Sequence, residues 1–191
     1  MMLPKHIREV YSKATRIFSK HDVEQALDNM AKEISWRLAD SNPVFLCAVI
    51  GGIIPLGNLL PRLAFPLEVD YIHVTRYRGK TYGDEIVWKT TPTTPLKDRT
   101  VVIVDDILDG GLTLAAIIDY CREQGAKEIY TAVLVDKQKQ REPGGVEKAD
   151  INGLVVDDRY VFGYGLDYHE YLRNVPGIYA IAAEHESAPK K

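Results

Sequence analysis

Only two cysteines occur in 191 residues. Cys47 lies inside an apolar run and Cys121 on an apolar helix face, so both read as buried thiols rather than a disulfide or metal pair. No apolar run approaches the roughly 20 residues that span a bilayer, and no membrane role is expected. Neither sign of charge dominates. Lys and Arg number 24 against 27 Asp and Glu, a formal net charge of −3, which argues against a generally basic nucleic-acid surface. His73 and His169 have no partners at metal-ligand spacing. The start, Met1-Met2-Leu3-Pro4-Lys5-His6, lacks the apolar centre of a secretion signal, so a cytoplasmic location is expected. No repeat or low-complexity tract is present, and one domain over 1–191 is the expectation.

What is present is concentrated in one stretch, Val101-Val102-Ile103-Val104-Asp105-Asp106-Ile107-Leu108-Asp109-Gly110-Gly111-Leu112-Thr113. Four β-branched apolar residues run into two aspartates. A third carboxylate follows three positions later, then two glycines, a threonine and an amphipathic run to Cys121. A buried strand here delivers carboxylates to its C-terminal tip, where open α/β sheets bind ligands. The free N–H groups of a glycine turn and helix start suit a phosphate, and the carboxylates suit sugar hydroxyls, a proton or Mg²⁺. Phosphate and diol recognition side by side points to a phosphorylated sugar. The plainer reading of Asp109, set against a role in the chemistry, is a helix cap.

The rest of the chain reads as an α/β protein with a largely parallel sheet. Ser19 followed by Asp22 marks a helix start, with Val23, Ala26, Leu27, Met30, Ile34 and Leu38 at helical spacing. Asn42-Pro43 ends that helix. Residues 44–50 read as a strand buried on both faces, Gly51-Gly52 as its tip, and Pro55 as the first turn of a short helix that Pro61 distorts. Residues 67–74 predict a strand in which Val69, Tyr71 and His73 alternate against Glu68, Asp70 and Ile72. A polar, glycine-punctuated loop at 76–84 precedes a strand at 85–89. Gly125 should cap the helix after the signature. Further strands are expected at 129–135, 154–156 and 178–182, a charged loop at 137–148, and a frayed tail at 184–191.

At the strand–acid-pair–glycine-turn motif the chain resembles the type I phosphoribosyltransferases. Val69-Asp70-Tyr71-Ile72, Arg76-Tyr77, Val133-Leu134-Val135 with Lys137, Tyr160-Val161 with Gly163-Tyr164-Gly165-Leu166-Asp167-Tyr168, and Glu170-Tyr171 with Arg173 follow in the order expected of the hypoxanthine-guanine branch. The resemblance implies the type I fold, with a central sheet flanked by helices. It also implies a small hood built from the chain-terminal segments, and a mobile lid over 76–84 carrying Arg76 and Tyr77.

The same resemblance implies the roles. Asp105 and Asp106 would hold the ribose hydroxyls of phosphoribosyl pyrophosphate, directly or through Mg²⁺, while Gly110, Gly111, Leu112 and Thr113 wrap its 5′-phosphate. Gly51 and Gly52 would offer N–H groups to the pyrophosphate, Arg173 would clamp it, and Asp167 would serve the metal and the base side. Asp109 would handle the purine proton. Lys137 would donate to O6 of a 6-oxopurine, Tyr160 would stack on the base, and the Val161 backbone would face ring position 2. Two positions depart from the family: Gly110 where many relatives carry Thr, and Ile50 where many carry Lys or Arg. Hypoxanthine or guanine is the expected base, with xanthine as a further candidate and adenine excluded. A homodimer or homotetramer is the expected assembly. The rival is a regulator of the same fold that binds RNA with nucleotides as effectors, against which the modest negative charge counts.

Overall fold

The computed structural model describes residues 4–77 and 85–186, with only the backbone of Arg76, Tyr77 and Glu85. In chain order the elements are α1 (Lys5–Lys13), β1 (Thr15–Phe18), α2 (Lys20–Leu38), β2 (Val44–Val49), α3 (Ile53–Leu59), β3 (Glu68–Tyr77), β4 (Glu85–Thr90), β5 (Thr100–Leu108), α4 (Leu112–Glu123), β6 (Glu128–Gln138), β7 (Ile151–Asp157), β8 (Val161–Phe162), β9 (Ile178–Ala180) and α5 (Ala183–Glu186). Six strands form a central sheet in the order β4-β3-β2-β5-β6-β7. Every pairing is parallel except β3 with β4.

The continuous apolar runs follow from burial on both faces. Val102 and Val104 of β5 join Phe45, Leu134 and the inner face of α2 in one core. Val101 and Ile103 point the other way, onto Leu114, Ile117 and Cys121 of α4. Helix α2 starts where its sequence requires. Asp22 N–H donates to Ser19 Oγ at 3.3 Å, and Ser19 N–H returns a bond to Asp22 Oδ2 at 2.8 Å. Pro61 converts the end of α3 into a 3₁₀ turn at Leu60–Arg62. Both cysteines are buried and free, and burial pushes each thiol up to about 12.

A second, three-stranded sheet, β1-β9-β8, forms the hood. It joins the two ends of the chain over a core of Ile7, Val10, Phe162, Tyr168, Leu172, Val175 and Ile181. Helix α1 and strand β1 are additions to the sequence reading, because nine and four residues give too little periodicity alone. The expected frayed tail is also corrected up to Glu186: α5 is held by an ion pair between Glu184 and Lys13 at 2.8 Å. Residues 187–191 lie outside the described ones.

Strand β3 corrects a face. Ile72 and Val74 are buried, whereas Val69 and Tyr71 are about half exposed. The alternation was right in period but opposite in sense, because the covering helix α4 packs on the side that Ile72 and Val74 face. Asp70 instead accepts from the N–H groups of Thr93 at 2.8 Å and Thr94 at 2.7 Å, pinning the turn-rich connector. Among the described residues no helix is long and apolar enough to cross a membrane.

Candidate active site

The parallel strands β2, β5 and β6 end on one side of the sheet, which brings together Gly51, Asp105, Asp106, Asp109 and Lys137 of the expected site. Strand β5 runs on through both aspartates to Leu108, so Asp105 and Asp106 sit within paired backbone rather than beyond it. Burial pushes the Asp105 carboxyl well up, helped by the charge of Asp106. Burial also raises Asp106, although hydrogen bonding to Asp105 and the nearby Arg173 pull it back. Nη1 of Arg173 lies 3.8 Å from Asp106 Oδ2, and its Nη2 lies 3.0 Å from Asp167 Oδ1 and 3.1 Å from Glu170 Oε2. The late block 163–173 is thereby brought onto β5.

Close backbone approach explains two glycines. A side chain on Gly51 would land in the Asp106 carboxylate, and one on Gly165 would strike the Gly51 carbonyl. Two loops therefore meet over Asp106 without a Cβ between them. The Gly52 N–H is already spent on the Ala48 carbonyl at 2.9 Å, so of the expected pair Gly51 is the one placed to offer its amide. Ile50 and Ile53 beside them are about half exposed.

Asp105 to Leu114 line a cavity of about 250 Å³. Gly111 has φ of 84° and stands at the N-cap of α4, with no side-chain cap. Asp109 is therefore not the helix cap. The amides of Leu112 and Thr113, in the first turn, have no intrahelical acceptors and are available to an anion. At Gly110, the other departure, the space a Cβ would take is occupied by the Glu142 side chain.

Lys137 is the largest surprise in placement. A lysine at a strand exit is ordinarily solvated, but β6 extends to Gln138 and the Lys137 side chain is 11 % exposed. Its Nζ lies 3.3 Å from Asp109 Oδ1 and 3.6 Å from Asp158 Oδ1. Lys139, which the sequence reading missed, lies 3.2 Å from the same Asp109 oxygen and 3.7 Å from Asp158. Burial raises the Asp109 carboxyl, but the two ammoniums outweigh it and hold the group below its ordinary range. Asp109 Oδ1 is shielded from solvent and has no hydrogen-bond partner among the described residues; it meets the lysines as ion pairs. Lys139 lies just past the end of β6, where its N–H donates to the Lys137 carbonyl at 3.0 Å, a tight turn that no sequence pattern announced.

Tyr160 precedes β8, partly exposed, with its ring edge-on to Tyr168 at 5.7 Å. Val161 is buried and pairs with Ala180. Arg76 and Tyr77 end β3; their side chains, and residues 78–84 of the expected lid, lie outside what is described.

The phosphoribosyl transferase domain pattern matches residues 13–169. The chain belongs to the phosphoribosyltransferase family. It is 32 % identical over 163 residues to the hypoxanthine-guanine-xanthine phosphoribosyltransferase of Tritrichomonas foetus, covering 85 % of this chain and 88 % of that one. It is 30 % identical to the hypoxanthine-guanine phosphoribosyltransferase of Bacillus subtilis, over 85 % and 89 % of the two chains. Among solved structures, a hypoxanthine-guanine-xanthine phosphoribosyltransferase superposes with a TM-score of 0.80 at 27 % identity, covering 89 % of this chain and 98 % of the other. A hypoxanthine phosphoribosyltransferase from Staphylococcus aureus superposes with 0.86 at 23 % identity, over 93 % and 97 %. The latter likeness speaks for the fold, and the type I architecture with its terminal hood is borne out.

Proposed function

We propose that this phosphoribosyltransferase is a purine-salvage enzyme that joins a 6-oxopurine, hypoxanthine or guanine and as a further candidate xanthine, to phosphoribosyl pyrophosphate. The products are the nucleoside monophosphate and pyrophosphate. One observation carries the choice of acceptor: the shielded, unbonded Asp109 Oδ1 lies 3.3 Å from the nearly buried Lys137 ammonium. A proton acceptor and a pure donor side by side match a ring with a proton on N7 and a carbonyl at C6. An ammonium has no lone pair to offer the amino group of adenine, so that base is rejected.

The chain's own groups account for the remaining steps. The amides of Gly110 to Thr113 and the Thr113 hydroxyl bind the 5′-phosphate at the start of α4. Asp105 and Asp106 hold the ribose hydroxyls. Asp109, kept ionised by its two lysines, accepts the purine proton as N9 attacks the anomeric carbon. Gly51 and Arg173 meet the departing pyrophosphate, and Tyr160 and Val161 frame the base. Arg76 and Tyr77 are assigned to a lid that excludes water.

The donor set suits Mg²⁺. Asp105, Asp106 and Asp167 are hard oxygen donors, two of them buried, mutually repelling and faced by one guanidinium. Among the described residues no cluster of three ligands forms a ready cage, which agrees with an ion held by one or two carboxylates together with substrate phosphates. When bound, Mg²⁺ would neutralise charge growing on the leaving pyrophosphate. A cytoplasmic location and a homodimer or homotetramer belong to the same proposal. The half-exposed Val69 and Tyr71 on one face of β3 are apolar surface that a subunit contact would cover.

The test is nucleotide formation from phosphoribosyl pyrophosphate and Mg²⁺ with hypoxanthine, guanine, xanthine and adenine in parallel. Turnover of 6-oxopurines without adenine is the expected result. Adenine used as well as hypoxanthine would overturn the Lys137 argument, and inertness toward all four would overturn the function.

A further inference from the structure

Arg141 lies in the charged loop between β6 and β7, where an arginine is ordinarily solvated. Its side chain is 6 % exposed. Nη1 donates to the carbonyls of Leu108 at 3.1 Å, Asp109 at 2.8 Å and Lys137 at 2.7 Å. Nε donates to the Glu147 carbonyl at 3.2 Å, and Nη2 pairs with Asp136. Three of these carbonyls belong to the chemistry: the exit of β5, the proton-handling residue and the base-binding lysine.

The neighbours of Arg141 continue the same arrangement. Glu142 N–H donates to the Gly110 carbonyl at 3.0 Å, and Val146 N–H to the Gly111 carbonyl at 3.2 Å. A turn whose amides face a phosphate must aim its carbonyls away, and buried carbonyls need donors. Residues 141–146 supply those donors from outside. A guanidinium suits the central position, because its rigid fork reaches several fixed acceptors at once and its charge is met by Asp136. A lysine ammonium, a compact point on a flexible stem, cannot meet those carbonyls, the Glu147 carbonyl and Asp136 at once.

We infer that Arg141 is a positioning residue for phosphoribosyl transfer: it fixes the phosphate turn and Asp109 against Lys137, so that donor and base are met in one geometry. The inference rests on the function proposed above. Arg141 acts through the backbone of its neighbours and touches no substrate.

The experiment compares Arg141→Lys, Arg141→Ala and the unaltered protein by kcat and KM for both substrates, by calorimetric binding of phosphoribosyl pyrophosphate, and by melting temperature. Arg141→Lys keeps the positive charge and is the variant expected to stay folded. For it we expect kcat to fall at least about tenfold and KM for both substrates to rise several-fold, with the protein fully folded at the assay temperature. Guanidinium ion at non-denaturing concentration should restore part of the rate of Arg141→Ala without raising its melting temperature. Kinetic constants within twofold of the parent in a folded Arg141→Lys would overturn the inference. So would a loss of rate that only tracks the unfolded fraction, which would leave Arg141 a fold-holding residue. Should the unaltered protein be inert with every base, the proposed function fails by itself. The binding measurement then still decides whether Arg141 sets the phosphate turn.

Discussion

Replacing Asp109 with Asn separates chemistry from folding, because the two side chains have nearly the same shape and differ in charge. What the change removes can be read from the site. Two ion pairs disappear, at 3.3 Å to Lys137 and 3.2 Å to Lys139. The Asp109 side chain is 41 % exposed, so each pair is screened and contributes on the order of 0–1 kcal/mol. Lys137 and Lys139 keep Asp158 at 3.6 and 3.7 Å. The protein should therefore stay folded, with a melting temperature lowered by a few degrees at most.

Turnover should respond far more strongly. An amide cannot take the N7 proton, and a positioned general base contributes roughly 10²–10⁴ in rate, or about 3–5 kcal/mol. Binding of phosphoribosyl pyrophosphate should change little, since the turn amides and Asp105 and Asp106 are untouched. Initial rates of nucleotide formation, with calorimetric titration of the donor, give both numbers on one preparation. A rate within about twofold of the parent would remove Asp109 from the chemistry. Equal losses in rate and donor affinity would make it a structural member of the phosphate turn.

Other perturbations probe the surroundings. Lys137→Ala should raise KM for the base far more than KM for the donor, and equal increases would argue against the O6 contact. Lys139→Met should shift the acid limb of the pH–rate profile upward. Asp109 is held below its ordinary range partly by that ammonium, so a carboxyl with one cation fewer gains its proton at higher pH. By the same sign, the stability that Asp109 contributes is present above its unfolded value and is lost as pH falls through the folded one. An unmoved limb in Lys139→Met would show that another group sets it. Ser19→Ala removes one half of the cap on α2 and should cost about 1 kcal/mol, visible in denaturant unfolding with activity of the folded protein unchanged.

The central sheet and the glycine turn that opens α4 were legible in the sequence because each is dictated locally. Residues 44–50 and 101–104 are continuous β-branched or apolar runs that only a doubly covered strand accommodates, and Gly110-Gly111 ahead of an amphipathic helix leaves few alternatives. The acid pair was legible for the same reason, being adjacent to its strand in sequence.

What escaped depends on partners distant in the chain. The sense of alternation in β3 is decided by which side α4 covers, and nothing within residues 67–74 carries that information. The hood strands β1 and β8 have four and two residues, too few for a period, and they exist because the two chain ends meet; β9 was expected at 178–182, but not its pairing with them. Lys139, Asp158 and Arg141 were the hardest to see, since charged residues in a polar loop resemble solvated surface. Charged groups are buried only when partnered, and the partners of Arg141 are mainly backbone carbonyls, which look alike at every position of a sequence. A site held by side chains leaves a motif, whereas a site held by a side chain on backbone leaves one arginine among charged neighbours. For that reason the residues that position this site are harder to read from sequence than the residues that would perform its chemistry.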